Sequence, residues 1–156
     1  MTTVGQTTAI DPRAITRMSR PELDQLFRNS PSGPIPAGQA RGTAIVLPGS
    51  AINGAIAELI RALIWKGKLF QTASGDLKNR IGPLGMPMIR AVVYQDKSWF
   101  ANGPAIILDY SKTSFVARMI RDEIRQVGPG LYLGQVYWGK RRIALFMLEF
   151  PPQASS

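Results

Sequence analysis

The side chains in this chain that could move a proton or hold a ligand are carboxylates, tyrosines, lysines and arginines, because it contains no cysteine and no histidine. Those two absences remove thiol nucleophiles, serine–histidine triads, histidine-ligated haem and nearly all transition-metal sites. No metal or organic cofactor is therefore expected. Asp109 and Glu149, each at the end of an apolar strand-like run, can act as general acid or base with Tyr110 or Tyr132. Arg90, which shares a strand face with Met88, Val92 and Tyr94, can bind a carboxylate through its planar fork. Trp65, Phe70, Trp99, Tyr137 and Phe146 supply aromatic surface, either to line an apolar ligand site or to fill a closed core. Neither Gly-x-Gly-x-x-Gly nor a Walker-type loop occurs, and Tyr110-Ser-Lys112 lacks the one-turn spacing of a dehydrogenase pair.

The densest stretch of charge runs from Asp109 to Gly130. From Phe115 onward, Val116, Met119, Ile120, Ile124 and Val127 fall on one helical face, with Arg118, Arg121, Asp122 and Arg125 on the other. The spacing predicts an amphipathic helix with a wet face, carrying Arg118–Asp122 and Asp122–Arg125 pairs and ending at Gly128 and Pro129. Its first two residues, Asp109 and Tyr110, belong to the preceding strand end and remain candidates for function.

The elements that must position these groups fit one domain, since 156 residues support a single core. Residues 1–18 read as a flexible leader, 19–150 as the domain and 151–156 as a tail. Ser19 caps a short helix with Pro21 in its first turn and Leu23, Leu26 and Phe27 on one face. The run Asn29–Gly38 holds Pro31, Pro34 and Pro36 and must be a loop, serving as a lid or a connection. A strand is expected over Gly42–Leu47 and a largely buried helix over residues 50–65. From there to Phe150 the pattern is short β segments, including one at Ser98–Phe100, and the clearest is a hairpin turning at Gly139. Adjacent strands with short connections imply an antiparallel meander, curled into a β-barrel or half-barrel with two to three short helices. The class is mainly β (α+β).

Nineteen basic and ten acidic residues give a formal charge of +9, which favours anionic partners. The basic residues are scattered apart from Lys140–Arg142, which lie beside Trp138. No window reaches the length of apolar chain needed to span a bilayer, and the N-terminus has no secretory pattern, so a cytoplasmic protein is expected.

The segment Trp-Lys-Gly-Lys-Leu-Phe, Trp65 to Phe70, resembles the W-x-G-K-x-F block of small bacterial GXWXG-type barrel proteins. The run from Ala105 to Phe150 is similar to their ending, in which a strand, a short helix, an L-x-L-G strand and an aromatic-rich strand follow in order. The naming element is absent, with Ala44 where its tryptophan would fall after Gly42. Over residues 40–150 the layout resembles calycin-like barrels, the group of lipocalins and fatty-acid-binding proteins. That resemblance implies an apolar cavity and no catalytic residue.

Three functions follow as expectations. The first is binding of a small hydrophobic or amphipathic molecule, such as a fatty acid or an isoprenoid, with Arg90 and the tyrosines at its polar end. The second is a cofactor-independent isomerase, cyclase or lyase using Asp109 or Glu149 with Tyr110 or Tyr132. The third is contact with nucleic acid or an anionic membrane surface through net charge.

Overall fold

The computed structural model describes residues 10–36, 38–45, 68–71, 76–80, 87–110 and 118–150; for 38–39, 68–71, 76–80 and 87–91 the description is of backbone alone. Two short helices, α1 (Pro12–Thr16) and α2 (Arg20–Asn29), precede eight strands: β1 (Gly38–Ile45), β2 (Lys68–Gln71), β3 (Asp76–Arg80), β4 (Pro87–Lys97), β5 (Pro104–Asp109), β6 (Ile120–Gly128), β7 (Leu131–Trp138) and β8 (Arg141–Glu149). The fold is mainly β and antiparallel. Each strand pairs with the next in the chain, and β8 pairs back to β1 through Arg41↔Glu149 to Ile45↔Leu145. The ladder has two packed faces, an inner one that carries Ile106 and Leu108 and an outer one that carries Ile107 and Leu133.

Local chemistry explains the ends of the elements. Asp11 caps α1 by accepting from the Arg13 N–H at 2.9 Å, and Ser19 caps α2 through the Glu22 N–H at 3.3 Å; each helix has proline in its first turn. The β7–β8 hairpin turns through Gly139 and Lys140, with Gly139 at φ +61, a conformation that side chains resist.

Alternation divides the core in two. The inner face packs Ile106, Leu108, Ile124, Val136, Phe146 and Leu148 together with their neighbours. The outer face packs Ile107, Leu133, Leu145 and Met147 beneath Ile15 of α1 and Leu23 and Phe27 of α2. Ile15 and Phe27 are wholly buried, so the stretch expected to be a flexible leader contains a capped helix anchored in the core.

Two expectations about elements are corrected. Residues 120–128, read as the second half of an amphipathic helix, form β6 between β5 and β7. Ile120 and Ile124, four apart, satisfy a strand face as well as a helix face, so their spacing did not discriminate. Gly128 ends this strand, and Gly130, at φ +64, turns the chain into β7. Ser98–Phe100 is a loop instead of a strand. The helix expected over residues 50–65, the tail 151–156, and Phe115 and Val116 lie outside the described residues.

The proline-rich run after α2 is a connection that covers one end of the inner face. Gln126 N–H donates to the Pro31 and Ser32 carbonyls at 3.1 and 3.3 Å, and the Tyr132 hydroxyl donates to the Pro34 carbonyl at 2.8 Å. Ile35 packs against the inner core beside them.

Candidate functional site

Among the described side chains, the inner face carries a polar pair, Tyr110 and Asp122, set among apolar residues. Tyr110, the residue after β5, is wholly buried, and its hydroxyl donates to Asp122 Oδ2 at 3.4 Å. Asp122 lies on β6 opposite Leu108 and Val136 and is 1% exposed. Strand alternation puts both on this face: Ile106, Leu108 and Tyr110 follow one another inward, as do Ile120, Asp122 and Ile124. A buried carboxylate is costly unless hydrogen-bonded, and here the phenol supplies a bond. The pair lies at the end of the ladder away from the Pro31–Pro36 connection.

Between the two ends, Phe146 fills the inner face. Its ring lies flat over Gly134, so close that a Cβ there would meet Cζ at 2.3 Å. Glycine is required at that position by this approach.

The outer face buries far more charge, under α2 and the loop that follows β4. Glu123 is wholly buried; it accepts from Ser98 Oγ and the Trp99 N–H, both at 2.7 Å, and pairs with Arg121 at 3.3 Å. Gln135 donates to Glu123 and accepts from Arg142, which grips Asp24 of α2 through two bonds of 2.7 and 3.2 Å. Arg125 donates to the Phe27, Arg28 and Ser30 carbonyls at the C-terminus of α2, and to Pro104 and Asn102. A cation there satisfies carbonyls that the helix leaves without partners. Burial pulls the Arg125 guanidinium below its ordinary value, with Glu123 opposing. Phe100 is sandwiched between Arg28 and Arg142, at 4.5 and 4.4 Å.

These contacts redistribute the residues singled out from the sequence. Asp109 and Tyr110, adjacent in the chain, diverge: Asp109 is on the outer face and accepts from the Tyr94 hydroxyl at 3.1 Å. Burial, then the charge of Asp109, raises the Tyr94 phenol above its ordinary value. Tyr132 is inward but near the covered end, edge-on to Phe150, and burial raises its phenol too. Glu149 borders a shallow surface pocket of about 160 Å³ with Ile10, Pro12, Leu131 and Phe150. On β7, Leu131 pairs with Glu149 and Tyr137 sits opposite Arg121, the partner of Asp109; six residues of strand separate those levels, roughly 20 Å. The four acid–base candidates therefore do not converge.

Of the expected ligand-lining aromatics, Phe146 faces inward, while Tyr94, Trp99 and Tyr137 are on the outer side. Burial, then Glu123, pushes the Tyr137 phenol up to about 12. The side chains of Arg90 and Phe70, and all of Trp65, lie outside the described residues. The Asp122–Arg125 pair of the helical reading does not survive, since Asp122 points inward and Arg125 outward.

The partner that sequence reasoning missed is Asp122, along with Glu123 and Gln135. The alternation Arg121, Glu123, Arg125 carried a period-2 signal that the helical template masked. Among the described residues no three Asp or Glu side chains cluster to hold a metal ion. No helix of the described residues is long and apolar enough to cross a membrane.

No protein-family profile matches the chain, and no curated protein matches it. Its structure is similar to the crystal structure of a protein from Thermomonospora curvata, with a TM-score of 0.60 and 18% sequence identity, covering 86% of this chain and 89% of that one. At that identity the likeness establishes fold alone.

Proposed function

We propose that the returning ladder is a calycin-like barrel whose inner face holds a small hydrophobic or amphipathic molecule of the fatty-acid or isoprenoid kind. The observation that carries this reading is the Tyr110–Asp122 pair, a hydrogen-bonding group placed among Ile, Leu and Val at the end of the inner face away from the Pro31–Pro36 connection. Apolar sites with a few placed polar groups are the usual form of a small-molecule pocket.

Native mass spectrometry of the heterologously expressed protein, followed by organic extraction, tests the reading. An apolar ligand should co-purify, and Tyr110→Phe should weaken a hydroxylated ligand more than its hydrocarbon analogue. Protein that carries nothing and leaves an apolar fluorescent probe unchanged would overturn it.

The same pair supports a second reading. A phenol hydrogen-bonded to a carboxylate in a dry interior can pass a proton to an apolar substrate, as a cofactor-independent isomerase, cyclase or lyase requires. Turnover of a bound ligand that is lost in Asp122→Asn, with binding retained, would favour it over simple storage.

A further inference from the structure

Among the described residues, the exposed large hydrophobic side chains are Trp99, Met119 and Val92, at 50%, 46% and 39% exposure. Single exposed apolar residues are ordinary on a protein surface, so their placement is what matters. The strand register puts Val92, Asp109, Arg121 and Tyr137 in one row across β4 to β7. Trp99 lies on that row, its indole 4.1 Å from the Arg121 guanidinium and edge-on to Tyr137 at 5.2 Å. Val92 is two strand spacings from Arg121, roughly 10 Å. Met119 precedes β6 at the same end, and its carbonyl accepts from the Gly139 N–H of the β7–β8 turn at 2.8 Å. All three therefore crown one edge of the outer face.

Positive charge surrounds them. Arg118, Lys140 and Arg141 are exposed at this edge. The carboxylates there are engaged, Asp109 with Tyr94 and Asp24 with Arg142.

We infer that this edge docks onto an anionic lipid bilayer, with Trp99, Met119 and Val92 entering the interface and Lys140 and Arg141 meeting the headgroups. Tryptophan suits that depth because its apolar ring carries one N–H for the wet side. Charge and shallow apolar insertion reinforce each other at an anionic surface. Single-stranded nucleic acid fits less well. One side of the Trp99 ring already faces Arg121, and Met119 and Val92 offer no ring for a base to stack on. The proposal does not rest on the ligand reading, since none of its residues belongs to the Tyr110–Asp122 pair and Val92 and Trp99 lie on the outer side.

The test is co-sedimentation of the full chain with vesicles of equal parts phosphatidylglycerol and phosphatidylcholine, against phosphatidylcholine alone, with urea unfolding to verify each variant. The wild type should bind the anionic vesicles selectively. Lys140→Glu/Arg141→Glu, in an exposed turn, should lower partitioning by at least about tenfold. Trp99→Ser should lower it several-fold, retaining the backbone bond to Glu123. Absence of binding to anionic vesicles, partitioning unchanged in both variants, or binding to a single-stranded oligonucleotide in place of vesicles would each overturn the inference.

Discussion

On the outer face, buried charge is tied to the elements that cover it: Glu123 holds the Ser98–Trp99 loop, Arg125 closes the end of α2, and Arg142 grips Asp24. On the inner face, Asp122 of β6 meets Tyr110, the residue that follows β5. The difference teaches how to read a buried polar group. Where its partners are the backbone of a loop or a helix end, it builds the architecture; where it stands among apolar side chains of the sheet, it is a candidate for recognition or proton transfer.

Breaking the outer network should cost most. Glu123→Ala leaves Ser98, the Trp99 N–H and Arg121 without their shared acceptor and should destabilise the fold by about 3 to 5 kcal/mol in urea melts. A loss under about 1 kcal/mol would mean that the loop is held by something else.

Next is the packing between the two ends of the inner face. Gly134→Ala drives a Cβ into the Phe146 ring and should cost up to about 3 kcal/mol. Adding Phe146→Leu should recover part of that loss, as expected for residues in contact.

The third prediction uses pH. Tyr137 ionises at about 12 when folded, against an ordinary value of 10.0. Its folded value is raised, so this contribution is fully present below pH 10 and is lost as pH rises toward 12. The sign follows because the unfolded chain releases the proton first. Wild type should lose about 2 kcal/mol more than Tyr137→Phe across that window, read from paired denaturant titrations.

The smallest effect on stability sharpens the comparison most. Tyr110→Phe removes one hydrogen bond of 3.4 Å and should change stability by less than about 1 kcal/mol. A large stability loss without any change in ligand retention would move the inner pair into the architectural class.

Local signals in the chain were strong enough to place several elements. Ser19 and Pro21 marked the start of α2, and Gly139 marked the β7–β8 hairpin, because caps and tight turns are decided by a few neighbouring residues. The antiparallel, mainly β character was legible for the same reason, as a succession of short apolar segments with brief connections. Arg121, Glu123 and Arg125 were not legible in their roles: read alone they looked like a wet face. Their burial depends on α2 and the loop after β4, whose contacts with β6 span 22 to 98 positions of sequence.

The candidate site divides in the same way. Tyr110 was singled out at a strand end, but its partner was taken to be Asp109 or Glu149. Alternation sends Asp109 outward and Tyr110 inward, and strand pairing then supplies Asp122 from β6. The sequence by itself determined which chemistries are closed, since a chain without histidine or cysteine must work with carboxylates, phenols and cations. Which of those groups meet was decided by the tertiary structure alone, because face and register across separate strands are set by long-range pairing and not by spacing along the chain.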